Sequence, residues 1–385
     1  MAEISIQNIG DNLHQFLANS AFSNLTTGHV IMIILGLAFI YFAITREMNP
    51  LLLVPIGFGI IIGNIPFVTG YLLGVTEDGS MLNWLYLGVL KSIYPSLIFL
   101  GIGAMTDFSS LIANPKLILI GIAAQMGIFG AYAFAMMLGF TPSHAGAISI
   151  IGGGDAITAL FLSSKLAPEL ISIVAISAFT YMALVPYIQP PIMKLLTSNK
   201  ERVIRMKPNR AVSKLEKVVF PLIGILLTCF IIPAALPLLG MLFFGNLLKE
   251  SGVTKRLAET VKGPVIDLVT ILIGLTVGAS AEATLFLNLG SLKIFGLGLV
   301  SFLIATIGGV LFVKFFNLFL KKDSRINPLI GNAGMATLSE GARVSQVVGL
   351  QYDKTNFLLM HAMGPNVAGI IGSALAAGVM LTFFL

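Results

Sequence analysis

The chain has 385 residues, 56% hydrophobic and 10% charged, with a mean hydropathy of +0.95. A soluble domain carries about 25% charged residues, so this chain is too poor in charge to cover a water-facing globule, and its recurrent apolar runs mark a polytopic membrane protein. The net charge of +6 comes from a few short basic loops, which report membrane orientation and not a nucleic-acid surface, while the single Cys229 excludes a disulfide framework and a cysteine-rich metal site.

Residues 1–27 lack the basic start of a secretory signal, and Ile4, Ile6, Ile9, Leu13, Phe16 and Leu17 predict a short amphipathic helix at the membrane interface. Apolar spans follow at 28–45, 51–75, 84–105, 116–138 and 169–192, then at 216–235, 237–248, 264–281, 292–319 and 354–384. The expected fold is an all-α bundle of about ten spans. Between the two groups, 194–217 carries Lys194, Lys200, Arg202, Arg205, Lys207, Arg210, Lys214 and Lys217. This most basic loop belongs in the cytoplasm, which puts the N-terminus outside, and Arg46, Lys249–Lys262 and Lys321-Lys322 inside.

The two groups echo one another. "PIGFGIIIGN" (55–64) resembles "PLLGMLFFGN" (237–246), "GIGA" before Met105 resembles "TVGA" before Ser280, and "IIGGGDAIT" (150–158) aligns with "LIGNAGMAT" (329–337). Five spans on each side of the loop make this an inverted repeat, 28–193 against 218–385, joined by the 194–217 loop. The Gly-rich segments 147–161 and 327–343 are then short re-entrant or broken helices, entering from opposite faces and supplying backbone carbonyls near the midplane.

Asp155 is the foremost candidate. A carboxylate at mid-membrane costs about 2.5–3.5 kcal/mol on insertion scales, and Gly152, Gly153 and Gly154 let the backbone turn carbonyl oxygens toward a hard cation. The bland alternative is a helix-capping aspartate in a re-entrant turn. In the mirror segment Asn327, Asn332, Thr337 and Ser339 offer neutral oxygens. Arg343 is either an anchor for an anionic substrate or an arginine snorkelling to the interface, with Glu340 three residues earlier as its partner or facing water. Tyr181 is either a proton donor or an interfacial belt residue. In the last span, Gly364-Pro365-Asn366 is expected to break the helical ladder, with Asn366 adding an oxygen. His361 reads as structural, and Asp107 as a cap.

These residues sit in longer stretches, among them "GIGAMTDFSSLIANPK", "LAPELISIVAISAFTYMALVPYIQPPIMKLLTS", "NPLIGNAG" and "LLMHAMGPNVAGIIGSALAAGVM". Over nearly its whole length the chain resembles the membrane-embedded β subunits of biotin-dependent, sodium-pumping decarboxylases, which act on oxaloacetate, methylmalonyl-CoA, glutaconyl-CoA or malonate. The resemblance implies carboxybiotin decarboxylation coupled to Na+ export across the bacterial inner membrane. It also implies a biotin carrier protein, a carboxyltransferase α subunit and a small membrane anchor subunit as partners, and a homo-oligomer. It assigns catalysis to Asp155, Tyr181, Asn327 and Arg343. It also places Asn366 near the ion; joined to the reading of the residues themselves, carboxybiotin is expected at Arg343, Asn327 and Asn332, and Na+ at Asp155, Asn366, Gly153, Gly154 and Thr337. Two departures stand out. "GGGDAIT" replaces the family's "GGADGPT", and Ala336 replaces a functional serine, with Thr337 beside it as the nearest hydroxyl. A secondary cation/proton transporter without chemistry of its own is the competing function, since broken helices and inverted repeats serve it equally well. A purely structural anchor leaves the carboxylate unexplained.

Overall fold

A computed structural model describes residues 6–67 and 72–385, without the side chains of residues 6–11 and 323. The principal helices are α1 (Ile6–Ala18), α2 (Thr27–Thr45), α3 (Pro50–Gly63), α4 (Met81–Leu90), α5 (Ile93–Met105), α6 (Pro115–Met137), α7 (Pro142–Ser149), α8 (Ala156–Leu166), α9 (Pro168–Leu196), α10 (Lys214–Ile231), α11 (Leu236–Glu250), α12 (Lys255–Ala279), α13 (Leu289–Phe316), α14 (Glu340–Leu350) and α15 (Leu359–Phe384). No strand occurs among the described residues.

Crossing about 30 Å of hydrocarbon takes about 20 residues at 1.5 Å each. Among the described residues six helices, α2, α6, α9, α12, α13 and α15, meet that length and are apolar enough; α4 and α5, bent by 60° at a short break, make a seventh if counted together. The spans expected at 51–75 and 216–235 appear as shorter helices, α3 with 14 residues and α10 with 18, while 237–248 lies within α11, whose 15 residues are still short of a full crossing. Local chemistry sets their ends. α10 stops at Ile231 because Pro233 starts a 3-10 turn, and α3 stops at Asn64, whose side chain turns back to the Ile60 carbonyl at 2.9 Å.

The expected break at Gly364-Pro365-Asn366 is absent: α15 runs unbroken from Leu359 to Phe384 with Pro365 inside it. Pro365 lies in the second turn, where its missing N–H deletes a single ladder bond, and Gly364 packs against Leu117. In α1, Leu13, Phe16 and Leu17 are exposed. Ile4 lies outside the described residues, as do the side chains of Ile6 and Ile9.

The chain forms two compact units, Met1–Lys91 with Thr270–Ser291, and Ser92–Val269 with Leu292–Leu385. In the first, α3 crosses the end of α12 so closely that a Cβ on Gly59 would meet the Leu275 carbonyl and one on Gly278 the Ile56 carbonyl. Asn64 locks the crossing by donating to the Ala281 carbonyl and accepting from Ala283 N–H, both at 2.9 Å. The second unit repeats the device: Gly103 of α5 meets Leu242 and Gly245 of α11 meets Leu100, while Asn246 donates to the Gly103 and Thr106 carbonyls at 3.3 and 3.0 Å. The rest of the second unit holds the polar groups described next.

Candidate functional site

α7 ends at Ser149, tightens into a 3-10 turn over Ile150–Gly153, and reverses at Gly154, whose φ of +72° is the left-handed conformation that favours glycine. A Cβ at Gly154 would also lie 3.0 Å from the Thr337 Cγ2 and 3.1 Å from the Met335 Cε. Asp155 then takes an extended conformation and caps α8, its Oδ1 accepting from the Ile157 and Thr158 N–H groups at 3.1 Å each. Its Oδ2 accepts instead from two hydroxyls, Thr158 at 2.5 Å and Ser373 of α15 at 3.0 Å. One oxygen of the carboxylate thus closes the helix end while the other faces a pair of hydroxyls. The capping alternative accounts for Oδ1 alone.

Asp155 is 3% exposed and no basic side chain pairs with it among the described residues. Two amides at a helix N-terminus and two hydroxyls offset only part of the cost of a buried charge. The pair of hydroxyls is adaptable: Ser373 also lies 3.0 Å from the Ile370 carbonyl, so its proton can swing there and leave a lone pair free.

The mirror segment is also a 3-10 turn, Pro328–Gly334, opened by Asn327 and followed by an irregular stretch into α14. The two broken segments touch: Ala336 N–H donates to the Gly153 carbonyl at 2.9 Å. Asn332 is fully buried, donating to Gln189 Oε1 and the Gly341 carbonyl at 2.8 and 2.9 Å and accepting from Ser345 at 2.6 Å. Asn366 donates to the Met335 carbonyl at 2.9 Å and accepts from Ser339 N–H at 3.1 Å. Thr337 presents its methyl to Gly154, and its hydroxyl accepts from Gly341 N–H at 2.8 Å. That oxygen thus satisfies an N–H in the first turn of α14.

Asp155, Gly153, Gly154, Thr337, Asn332 and Asn366 therefore share one connected core. The other expected residues stand apart from the Asp155 carboxylate, whose hydrogen bonds among the described residues come from Ile157, Thr158 and Ser373. The Tyr181 hydroxyl donates to the Phe295 carbonyl at 2.6 Å. Asn327 donates to the Arg202 and Ile204 carbonyls at 2.9 Å each, tying the basic loop to the second 3-10 turn. Arg343 is exposed and pairs with Glu340 at 3.3 Å. His361 is half-buried, and Asp107 accepts from the Ser109 N–H and hydroxyl. Ser109's two bonds, with Lys217 and Lys249 nearby, outweigh partial burial and hold the Asp107 carboxyl below its usual range. In the loop before α15, Thr355 and then Arg205 hold Asp353 near about 2.

Sequence reasoning missed Ser373, Thr158, Gln189 and Ser345. A signal existed for the first two. Ser373 lies seven residues after Asn366, two turns along the same face of α15, and Thr158 lies three after Asp155 in a helix's first turn.

The sequence matches the Na+-transporting oxaloacetate decarboxylase beta subunit family over residues 28–384. It is 50% identical over 389 residues to the methylmalonyl-CoA decarboxylase subunit beta of Propionigenium modestum, covering 96% of this chain and 98% of the relative. To the glutaconyl-CoA decarboxylase subunit beta of Acidaminococcus fermentans it is 47% identical over 370 residues, 96% of each. To the oxaloacetate decarboxylase beta chain of Klebsiella pneumoniae it is 43% identical over 432 residues, covering 97% and 99%.

Proposed function

The chain belongs to the family of Na+-transporting oxaloacetate decarboxylase beta subunits, and on that premise we propose that it is the membrane subunit that decarboxylates carboxybiotin and couples this step to Na+ export. The observation that carries the reading is the Asp155 carboxylate, buried at a helix break with one oxygen turned to two hydroxyls. Na+ is cargo in this scheme. It binds Asp155 as the Thr158 and Ser373 protons swing away, with Asn366 and the Gly153 and Gly154 carbonyls completing an oxygen shell. The ion neutralises a charge that the interior tolerates poorly.

Carboxybiotin arrives from the cytoplasm on a separate biotin carrier, and Arg343, Asn327 and Asn332 guide its anionic carboxylate. Cleavage of the N–CO2− bond releases CO2 and leaves a biotin anion that takes up one proton, which Tyr181 delivers. Moving one Na+ against 100 mV requires about 2.3 kcal/mol, so release of CO2 must exceed that per ion. The matched glycine crossings locked by Asn64 and Asn246, and the two 3-10 turns at 150–153 and 328–334, support an inverted repeat of about ten crossings in a bacterial inner membrane. The N-terminus is outside, the 194–217 loop inside, and the complex adds a carboxyltransferase, a small anchor subunit and further copies of this chain.

The test is decarboxylation by the purified complex reconstituted in liposomes, assayed on oxaloacetate, methylmalonyl-CoA, glutaconyl-CoA and malonate. Activity on one of these acids that is stimulated by Na+ and blocked by avidin is expected. Na+ transport that continues without decarboxylation and ignores avidin would establish the secondary transporter instead.

A further inference from the structure

Gln125 interrupts α6 at its middle, between helical segments Ile118–Ala124 and Met126–Met137, and is 4% exposed. Its amide is fixed by two donations from Nε2, to the Gly121 carbonyl at 3.2 Å and the Gly369 carbonyl of α15 at 3.3 Å. Turning the amide over would set an oxygen against two carbonyls, so Oε1 must point the other way. There it is buried and finds no hydrogen-bond donor among the described residues. A buried acceptor left unmatched in a span is unfavourable and rare.

Oε1 points toward the Asp155 turn. The position a Cβ would take on Gly153 lies 3.4 Å from Gln125 Oε1 and 3.3 Å from the Cβ of Ser373, whose hydroxyl bonds Asp155. The absence of a side chain at Gly153 lets the amide oxygen and Ser373 approach this turn closely, with the Ile128 Cδ1 nearest of all at 3.1 Å. Gly372 brings α15 equally close to the amide, with Nε2 3.3 Å from its would-be Cβ.

We propose that Gln125 supplies a further oxygen to the cation at Asp155, opposite the cap and beside Ser373. This rests on Asp155 being the Na+ site. A neutral amide oxygen adds a ligand without a second charge, which suits a monovalent ion, and its rigid anchoring fixes the distance on which selection of Na+ against Li+ and K+ depends.

The test uses the whole reconstituted complex carrying Gln125→Met, which keeps the length and volume of the side chain, Gln125→Glu, which keeps an oxygen, and Asp155→Asn as reference. For Q125M the half-saturating Na+ concentration is expected to rise about tenfold with altered Na+/Li+ preference, while the half-saturating organic acid concentration stays within about twofold. Q125E, which keeps an oxygen toward the turn but gives up the two anchoring donations, is expected to lose less Na+ affinity than Q125M. An unchanged Na+ requirement in Q125M, as a merely water-satisfied amide would give, overturns the proposal. So does equal impairment of both Gln125 variants, which would mark the amide's anchoring as its whole role. If D155N keeps full Na+-stimulated activity, the Asp155 site itself fails. If D155N loses it while Q125M is unaffected, Gln125 alone is excluded.

Discussion

The division of labour within one carboxylate decides how Asp155 works. Oδ1 is committed to two N–H groups, whereas Oδ2 is held by hydroxyls that reorient at little cost. Removing either hydroxyl should weaken ion binding and folding by similar amounts. Ser373→Ala is expected to raise the half-saturating Na+ concentration about threefold to tenfold and to lower stability by about 1 kcal/mol. A titration of Na+-stimulated decarboxylation and a thermal melt of the purified complex measure the two. Asp155 is legible in the sequence because a charge in an apolar run has few explanations. Ser373 is not: in "GSALAAG" it reads as close packing, and only the helical register of α15 turns it toward the carboxylate. Arg343 shows the converse, since its guanidinium is conspicuous in sequence yet lies exposed against Glu340.

At the scale of the element, glycine and proline mark breaks in some segments and not in others. The run Gly152–Gly154 does end α7, because Gly154 takes a left-handed φ that a Cβ would oppose. Gly364-Pro365 looks equally disruptive, yet α15 continues, because one lost bond in an early turn is outweighed by the packing around it. Gly154→Ala should therefore cost about 1–2 kcal/mol through its backbone conformation alone, with further loss from crowding Thr337 and Met335. Gly296→Ala in α13, where a Cβ would meet nothing within 4 Å, should be neutral or gain up to about 1 kcal/mol. Comparative melting of the two variants checks the pair; equal destabilisation would contradict the assignment of strain to the break.

At the scale of the molecule, the all-helical membrane class was legible because hydropathy acts over tens of residues. The number of crossings was less so. Apolar runs do not reveal where a helix stops, and α3 and α10 end on an asparagine and ahead of a proline that shorten them. Whether residues 50–75 carry the chain across is open to a direct measurement in a Cys229→Ser background. Single cysteines at Glu47 and Lys207 should react with an impermeant reagent only from the cytoplasmic face, and one at Asp78 only from outside. Labelling of Glu47 and Asp78 positions from the same side would remove that crossing and with it the inverted repeat.

The central claim is that the Asp155 carboxylate joins ion movement to chemistry, and Asp155→Asn in reconstituted liposomes tests it most directly, with Na+ uptake and CO2 release followed in the same vesicles. The amide keeps the size of the side chain and one oxygen for the cap, but removes the charge on which the proposed Na+ site depends. Both rates should fall together to background, with the complex still assembled. Decarboxylation at the wild-type rate, or Na+ uptake that survives the substitution, would contradict the account.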